Sequence, residues 1–414
     1  MSVLVHKYGG TSLATPSRIT EAARKVARAR DAGHQLIVVV SAMGHTTDDL
    51  VELARDVSQS PNERELDMLL TAGERISMSL MAMALHALGH DAISFTGSQS
   101  GIITDALHMG ARIVDVRGSR IEEELARGRI VIVAGFQGVS LAREVTTLGR
   151  GGSDTTAVAL AAAFRAERCD IFTDVTGVFT ADPRVAAAAR LLSRVSYDEM
   201  SEMASLGAGV LHLRCVEIAR HYRVPLRVAS TFIEGEGTMV VEGHSMGEVP
   251  VRAVTHERGL AEVTWRGLPA GGAAAARVLD ALATRGVTAK HLAEGSSGHE
   301  KGELWIILAR ESLGKALAAA DLLVKSDPSL PSAWGRDGLA SVSIVGHGVA
   351  SAPDTRPRVL ATLTGAGIKI EGVFSSPLAM TCIVGEPDVD RAVRALHDAF
   401  LAGGAAAEGT RVGA

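Results

Sequence analysis

The alternation of two kinds of segment along the first 245 residues most constrains how this chain folds. Short β-branched runs, often followed by Gly, Ser or Thr, alternate with longer amphipathic segments such as Ile19–Ala29 and Glu65–Leu88. Apolar strands separated by helices are typical of a mostly parallel sheet that helices cover on both faces. We therefore predict an α/β fold with strands at Val3–Val5, Leu36–Val40, Ala92–Phe95, Ile130–Ala134, Asp170–Thr173 and Leu226–Ala229.

A different pattern follows the break at Glu242–Val249. Two stretches, one starting at Leu260 and one at Ala340, each predict the order β-α-β-β-α, which is that of a ferredoxin-like unit. The last residues are rich in Gly and Ala, and we expect them to be frayed. The predicted organisation is a large α/β domain over 1–245, two small units over 252–335 and 336–402, and a tail over 403–414.

Composition and charge argue against several classes of partner. The 414 residues carry a net charge of −5 and only 3% aromatic side chains, which gives neither a basic stripe nor much stacking surface for nucleic acid. No uninterrupted apolar run approaches the roughly 18 residues of a membrane helix. The chain enters a predicted strand at once, so we expect no signal peptide. Three distant cysteines suit a reducing compartment, and we expect a cytoplasmic protein with no nucleic-acid or membrane partner.

The stretch Val145–Ala157 says most about function. It places Arg150 and three glycines before a predicted helix that begins at Thr155 and is capped by Ser153 or Asp154. A helix N-terminus attracts anions, and a guanidinium suits a carboxylate or a phosphate. Taken alone, the stretch fits a Gly-rich surface turn equally well. Together with the motifs that follow, it favours an anion site.

Further polar motifs follow other predicted strands. Lys7–Ser12 offers a lysine, two glycines and two hydroxyls that could cradle a phosphate, although a tight turn would look the same. The hydroxyls of Ser41–Asp48 suit ligand oxygens or helix caps. Glu74 could bind an ammonium group or be an ordinary exposed carboxylate. Thr173–Arg184 offers carboxylates for ribose or metal, an aromatic face for a base and a guanidinium for phosphate, or simply two turns. We predict no dedicated metal ligands, because none of the 14 histidines is paired at metal-ligand spacing.

Together these blocks resemble the aspartate kinases of the amino acid kinase family. Lys7–Ser12 matches the family's Lys-Phe-Gly-Gly-Thr-Ser, with Tyr8 in place of Phe. Ser41–Asp48 matches Ser-Ala-Met-Gly-Asp-Thr-Thr-Asp, with His45 in place of Asp. The most specific match is Thr146–Ala157. Other blocks match in the right order: Gly73–Arg75, Phe95–Gln99, Val133–Gly138 and Thr173–Arg184.

The resemblance implies a fold and an activity. The fold would be a three-layer αβα sandwich with a mostly parallel sheet as the catalytic domain, followed by two ferredoxin-like ACT units that pair with a second copy in a homodimer or larger assembly. The activity would be transfer of the γ-phosphoryl group of ATP, with Mg²⁺, to the side-chain carboxylate of L-aspartate. The product, 4-phospho-L-aspartate, leads to lysine, threonine, methionine and diaminopimelate.

The resemblance also implies roles for individual residues, carried over motif by motif. Lys7 would neutralise charge on the transferring group, and the oxygens of that group would be cradled by Gly9, Gly10 and Ser41. The substrate would be held by Arg150 at its carboxylate and by Glu74 at its ammonium, with help from Asp154, Thr47 and Ser153. The nucleotide and magnesium would be held by Thr173, Asp174, Phe179 and Arg184.

Several positions depart from the family pattern. Gly209 stands where many relatives have a lysine that contacts phosphate. The blocks that bind the amino-acid effector in the family have also lost several polar residues here. Each polar group left unpaired around a buried effector costs about 1–3 kcal/mol, so the loss of several should lower effector affinity at least ~100-fold. We therefore predict weakened lysine and threonine feedback, as in a pathway-dedicated isoenzyme. The altered effector blocks are Pro269–Ala273, Glu294–Gly295, Ser351–Asp354 and Phe374–Pro377.

Two alternatives remain open on sequence alone. A specialised pathway could use another acidic amino acid, because His45 lies close enough in sequence to the pocket motifs to alter it. The chain could also be a non-catalytic, ligand-sensing subunit, for which Gly209 is the only support.

Overall fold

A computed structural model describes residues 2–243, 251–270, 272–296 and 301–402. The chain divides into two compact units. The predicted tail and most of the predicted break around residue 245 lie outside the described residues. The first unit comprises Met1–Phe179, Leu191–Ser205 and Gly209–Glu248, and the second comprises Thr180–Arg190, Leu206–Ala208 and Val249–Ala414.

The first unit is a mixed α/β structure. Its strands are β1 Val3–Tyr8, β2 Gln35–Val40, β3 Ala92–Phe95, β4 Ile102–Thr104, β5 Ile113–Val116, β6 Ile130–Ala134, β7 Gln137–Ser140, β8 Val145–Thr147, β9 Arg168–Thr173, β10 Arg194–Ser196, β11 Leu226–Ser230 and β12 Thr238–Val241. Its α-helices are α1 Pro16–Asp31, α2 Thr46–Val57, α3 Glu63–Leu70, α4 Ala72–Ala87, α5 Ser119–Ala126, α6 Gly152–Ala163, α7 Tyr197–Ser205 and α8 Leu213–Tyr222.

The main sheet of this unit is mostly parallel, as predicted. In the described residues its strand order is β10-β12-β11-β9-β1-β2-β6-β3, and only the β11–β12 pairing is antiparallel. Helices α1 and α4 pack on one face over alternate residues of the strands, such as Leu36, Val38 and Val40. Helix α6 packs against β1, β2 and β9. All six predicted strands are present, with their ends within a few residues of the predicted positions.

Two features of this unit differ from the prediction. The segment Glu65–Leu88 is two helices, because the chain breaks at Thr71, whose hydroxyl donates to the Met68 carbonyl and whose carbonyl accepts from Gln137 Nε2. The sequence patterns also missed a small sheet of order β5-β4-β7-β8. Its strands are only three or four residues long, which is too short for a period to show.

One helical stretch in the described part of the chain, Glu63–Ala87, is long and apolar enough to cross a membrane. Half of its most apolar window is buried inside the fold. Its second helix, α4, contributes Met78, Met81 and Leu85 to the core against the sheet. This burial is that of a core helix.

The second unit repeats β-α-β-β-α, as predicted. Its strands form one antiparallel sheet with the order β14-β15-β13-β16-β18-β17 in the described residues. In chain order its elements are β13 Ala253–Pro269, α9 Ala273–Ala283, β14 His291–Ser296, β15 Lys301–Ala309, α10 Leu313–Ser326, β16 Ala333–Val345, α11 Gly348–Ser351, α12 Thr355–Gly365, β17 Ile370–Ser375, β18 Ala379–Gly385 and α13 Val389–Leu401.

Strand β13 contributes to more than one hydrophobic core of this unit. Val254, near its start, packs in a core with α12 and α13, whereas Val263 and Trp265, near its end, pack in another with α9 and α10. The register shifts between Glu257 and Glu262 separate the two halves of the strand. The two repeats of one chain are thus joined in a single sheet. The boundaries at 245, 335 and 402 stay predictions.

Candidate active site

The predicted phosphate-binding residues lie at one edge of the main sheet. Strand β1 pairs in parallel with β2 and β9, with Lys7 opposite Val39 and Ile171. The carboxyl ends of these strands therefore share one edge, which is where ligands bind in such sheets. Ser41 follows β2 directly, and Thr173 is the last residue of β9.

Lys7 and Asp154 form an ion pair at this edge. Lys7 Nζ lies 2.6 Å from Asp154 Oδ1, and the two side chains are only 11% and 12% exposed. Solvent screens a pair this deep far less than a surface pair. The pair joins the end of β1 to the first turn of α6, so it holds a cation and the positive end of a helix on the same side of the sheet.

The glycines after β1 leave room for close approach. A Cβ at Gly10 would stand 2.9 Å from the Ala42 carbonyl oxygen and 3.1 Å from that of Gly44. The backbone of the loop after β2 therefore packs directly on this turn, and the Gly44 amide donates to the Gly10 carbonyl. A Cβ at Gly9 would lie 3.5 Å from Lys7 Nζ. Gly9 therefore keeps backbone, rather than a side chain, next to the lysine head group.

Helix α6 begins earlier than the sequence predicted. It starts at Gly152 and not at Thr155, and its N-cap is Gly151, with no side-chain cap. The reason is that Gly151 adopts a left-handed conformation, with φ of 69°, and turns the chain into the helix. The predicted caps are therefore free for other bonds. Ser153 Oγ lies 2.7 Å from Ser41 Oγ, and Asp154 pairs with Lys7.

Glu74 is buried in the first turn of α4 and is not an ordinary exposed carboxylate. Its Oε1 accepts a hydrogen bond of 3.0 Å from the Ala42 amide. Its Oε2 is buried and has no hydrogen-bond partner within the described residues. Burial raises the pKa of this carboxyl to about 7. An unpartnered oxygen of this kind calls for an explanation, and it has the capacity to accept a hydrogen bond.

Arg150 lies between two left-handed glycines, Gly149 and Gly151. Its side chain is exposed, and in the described part of the chain no hydrogen bond or ion pair engages it. A Cβ at Gly151 would stand 2.3 Å from His212 Cγ, so the loop packs tightly on the start of α8. The backbone is thus constrained while the guanidinium stays available.

Thr47, predicted for the substrate pocket, and His45, a departure from the family pattern, lie near the start of α2. Thr47 is half-buried in the first turn. His45, which replaces the family's Asp, is 89% exposed and lies 3.7 Å from the Asp48 carboxylate. The exposed position of the imidazole gives no sign that it reshapes the pocket.

The structure divides the predicted nucleotide residues between the two units. Thr173 and the exposed Asp174 follow β9 in the first unit, where the Thr173 hydroxyl donates to the Asp174 carboxylate at 3.0 Å. Phe179 is half-buried and pairs with Leu191 through a short antiparallel bridge.

Arg184 belongs to the second unit, where it forms an ion pair with Asp182. The hydrogen bond from the guanidinium is the main reason that the pKa of Asp182 is lowered. Asp182, one of the carboxylates predicted for ribose or metal, is therefore paired with Arg184, the residue predicted to bind phosphate.

Sequence reasoning missed two residues that support this edge. The Ser77 hydroxyl donates to the Ser41 carbonyl at 2.7 Å and so ties α4 to the end of β2. Its spacing of three from Glu74 puts it on the same helix face, a signal that was present in the sequence. Thr156 Oγ1 accepts from the amide of Phe136, which has a left-handed φ of 67°. No local sequence pattern predicts that hydrogen bond, because the two residues are 20 apart in the chain.

Within the described ranges, no group of three or more His, Cys, Asp or Glu side chains is arranged to hold a metal ion. Gly209, which departs from the family pattern, has open space around it, because a Cβ there would meet no atom within 4 Å.

In the second unit, one altered effector residue has gained aromatic partners. The Phe374 ring stacks on His291 at 4.6 Å and on Trp305 at 5.1 Å between centroids. A Cβ at Gly372 would overlap the Trp305 ring. An aromatic cluster therefore includes the first residue of the altered effector block Phe374–Pro377.

The fold is α/β, and this edge of the main sheet brings together a buried ion pair, two hydroxyls and a buried carboxylate. Comparison with known proteins narrows the class. Residues 2–230 match the amino acid kinase family, and residues 342–400 match an ACT domain.

The full-length relatives are aspartokinases. The chain is 46% identical over 401 residues to the aspartokinase of Geobacillus stearothermophilus, which covers 97% of both chains. It is 46% identical over 410 residues to the aspartokinase of Mycolicibacterium smegmatis, covering 98% of this chain and 97% of the relative. The crystal structure of Escherichia coli aspartokinase III in complex with aspartate and ADP shares the fold, with a TM-score of 0.82, 24% identity and coverage of 96% and 99%. The chain belongs to the aspartokinase family.

Proposed function

We propose that this protein transfers the γ-phosphoryl group of ATP to the side-chain carboxylate of L-aspartate. The product would be 4-phospho-L-aspartate, the first intermediate of aspartate-family amino-acid synthesis, including lysine, threonine and diaminopimelate. The observation that supports this most is the juxtaposition of the Lys7–Asp154 pair with Ser41 and Ser153 at the carboxyl ends of β1 and β2. The names of the full-length relatives point to the same substrate.

Lys7 is the proposed group that neutralises charge on the transferring phosphoryl group. Its ammonium is already oriented by Asp154, so little reorganisation is needed when substrate binds. Gly9, Gly10 and Ser41 would cradle the phosphoryl oxygens through backbone amides and a hydroxyl. The close packing of Gly10 on the Ala42 and Gly44 carbonyls suits a backbone cradle, since any side chain would fill it.

The proposed aspartate pocket uses the groups that the fold leaves without partners. Arg150 would bind a substrate carboxylate through its planar fork. Glu74 would accept the α-ammonium through Oε2, which has no partner within the described residues. Asp154, Thr47 and Ser153 would complete the pocket. Because a buried carboxylate with a pKa of about 7 ionises when a cation approaches, the ammonium and the carboxylate would stabilise each other.

The proposed nucleotide site lies in the first unit and uses Thr173, Asp174 and Phe179, with ATP as the phosphoryl donor. Arg184, which the resemblance also implies, belongs to the second unit and is paired there with Asp182. The residues present fit a phosphate, given the lysine and the glycine cradle. Magnesium is commonly held by one or two carboxylates together with substrate phosphates. Asp174, exposed at the end of β9, would supply such a carboxylate. The bound ion would neutralise phosphate charge.

The chemistry needs no strong base. A carboxylate oxygen of aspartate attacks the γ-phosphorus, a new O–P bond forms, and the bond to the leaving ADP oxygen breaks. The electron pair of the broken bond stays on ADP. Because the nucleophile is already ionised, positioning and charge neutralisation supply the catalysis.

Trapping of the acyl phosphate with hydroxylamine tests this function. We expect hydroxamate from L-aspartate with ATP, and little from L-glutamate or aspartate analogues without the α-ammonium. Equal turnover of another acidic amino acid would favour the alternative of a different substrate. Effector binding without any turnover would favour the non-catalytic alternative, which the comparisons do not favour.

We also infer that feedback by lysine plus threonine is weakened, as in a pathway-dedicated isoenzyme. The support is the set of altered effector blocks, together with the stacking of Phe374 on His291 and Trp305. Titration of activity with both amino acids at millimolar concentration would give little inhibition. Strong concerted inhibition would overturn this part of the proposal and leave the catalytic part intact.

We further propose a cytoplasmic homodimer or larger homo-oligomer assembled through the ACT-like units. Edge strands β14 and β17 each pair on one side only within the described sheet, and such edges can pair with another chain. Light scattering of the full chain would give the oligomeric state.

A further inference from the structure

A buried carboxylate, Asp67, lies behind the loop that carries Arg150. Asp67 is on α3 and is fully buried. Its Oδ1 accepts hydrogen bonds from the Thr147 hydroxyl at 2.5 Å and from the Met109 amide at 3.1 Å. Its Oδ2 lies 2.6 Å from His108 Nδ1. One side chain therefore joins α3, the loop before β5 and the end of β8.

Two of its partners flank the Arg150 loop. Thr147 is the last residue of β8, three residues before Arg150. The Thr147 carbonyl accepts from the Ala111 amide at 2.9 Å, so the hydroxyl and the backbone of this residue are both held. Met109 has a left-handed backbone conformation, with φ of 61°, which is uncommon for a residue other than glycine. Its amide donates a hydrogen bond to Asp67.

The same loop supports the glycines next to Arg150. A Cβ at Gly149 would stand 3.2 Å from the Met109 carbonyl oxygen. Arg214 Nη1 donates to the carbonyls of both Ala111 and Leu148, at 3.2 and 3.3 Å. The backbone on the β8 side of Arg150 is thus anchored from behind, while its own guanidinium engages no group in the described chain.

We propose that Asp67, with Thr147 and His108, is a positioning group that fixes the Arg150 loop in the geometry that binds the substrate carboxylate. It acts through the loop and touches no substrate. The proposal rests on the proposed function, because it takes Arg150 as the carboxylate ligand. A loop held in its binding conformation loses less entropy when the ligand binds.

Replacement of the Thr147 hydroxyl tests this most cleanly, since Thr147→Val keeps the shape and removes the donor to Asp67. If the loop loosens, aspartate binds less well in both the ground state and the transition state. KM for aspartate should then rise about 10-fold with kcat changed less than about 2-fold. KM for ATP should stay within about 2-fold of its original value. Thr147→Ser, which restores the hydroxyl, should recover most of the loss.

A double-mutant cycle separates positioning from a general loss of stability. The Thr147→Val effect on KM should vanish in an Arg150→Ala background, because the loop then has no guanidinium to position. Glu124→Gln is the matched control, since it alters another buried carboxylate, which lies on α5 and binds Arg127 and Arg129. It should lower the melting temperature without changing KM for aspartate.

The outcomes are distinguishable. If Arg150→Ala raises KM strongly but the Thr147→Val effect is additive, or if Thr147→Ser fails to recover it, the positioning role is wrong while the proposed function stands. If Arg150→Ala leaves KM for aspartate unchanged, the assignment of Arg150 in the proposed function fails, and this proposal fails with it.

Discussion

Two charged regions of the molecule use their side chains in opposite ways. On the sheet of the second unit, Arg336 binds Glu262 at 2.8 Å and Glu371 at 3.2 Å, and Lys369 also binds Glu371 at 2.9 Å. Those carboxylates have cationic partners within the unit. At the strand ends of the first unit, by contrast, Glu74 keeps an oxygen with no partner in the described residues.

The difference teaches how a site can be told from a stabilising cluster. A buried polar group without a partner costs about 1–3 kcal/mol, so a fold that keeps one has a use for it or is strained there. The cluster around Arg336 lines an open cavity of about 430 Å³, yet its charges satisfy one another. We therefore propose that the first region binds ligands and that the second contributes stability, and the following predictions test that division.

The largest effect is expected at Lys7. Lys7→Met removes the charge that would neutralise the transferring group, and we expect kcat to fall about 10²–10³-fold. Thermal unfolding controls for folding, because Asp154 loses its partner in this variant. A folded variant with normal kcat would show that the phosphoryl group is not bound here.

The next effect is expected at Glu74. Glu74→Gln replaces a charged partner of the substrate ammonium with a neutral one, which is worth about 1.5–3 kcal/mol, so KM for aspartate should rise about 10–100-fold. Initial rates over a range of aspartate concentrations measure it. An unchanged KM would place the ammonium elsewhere.

Glu74 also predicts a pH dependence with a definite sign. The folded pKa of about 7 is raised above the ordinary value of 4.5, so the free enzyme holds a proton that the ammonium must displace. Aspartate affinity should therefore fall as pH drops from about 8 to about 6. Glu74→Gln should flatten that dependence. The same shift means that burial of Glu74 costs stability as pH rises through 7, because the folded state favours the protonated form.

A smaller effect, and on stability alone, is expected in the second unit. Arg336→Met leaves Glu262, whose side chain is 9% exposed, without its guanidinium. The side chain of Arg336 is itself 36% exposed, so we expect a loss of only about 1–2 kcal/mol in the free energy of unfolding. Denaturant melts measure it, with kcat unchanged. Arg266→Met, which breaks a more exposed pair with Glu303, is the control and should change little.

The smallest effect is expected at Gly209. Gly209→Lys adds the lysine found in many relatives at a place with open space around the Cβ. We expect folding to be unaffected and KM for ATP to fall by at most about 5-fold, since an exposed charge pair is worth up to about 1 kcal/mol. Gly209→Met controls for the added length. A much larger gain would mean that this position limits nucleotide binding.

The sequence was sufficient to predict the parts of the fold that show in the local pattern of apolar and polar residues. The strands of the main sheet and the two β-α-β-β-α repeats could be predicted, because short β-branched runs, often followed by Gly, Ser or Thr, alternate with amphipathic segments. The short strands β4, β5, β7 and β8 could not, since three or four residues carry no period. The start of α6 was misplaced because the left-handed Gly151, rather than Ser153 or Asp154, ends the preceding loop.

The residues of the candidate site divide in the same way, into those that a local sequence motif predicts and those that depend on long-range packing. Lys7, Ser41 and Arg150 could be named from polar residues that follow strands. That Glu74 would be buried, with an oxygen left over, depends on the packing of α4 against the loop after β2. Asp67 could not be singled out at all, since it meets His108 and Thr147 only through contacts 41 and 80 residues apart in the chain.

One labelling experiment tests the central claim, attack of the aspartate side-chain carboxylate on the γ-phosphorus of ATP, most directly. The enzyme is given ATP and L-aspartate whose side-chain carboxylate carries heavy oxygen, and the product is cleaved with hydroxylamine at its acyl carbon. The phosphate released is then examined by phosphorus NMR. The account predicts one heavy oxygen in each released phosphate, because the attacking oxygen becomes the bridge to phosphorus. Phosphate without heavy oxygen would contradict it.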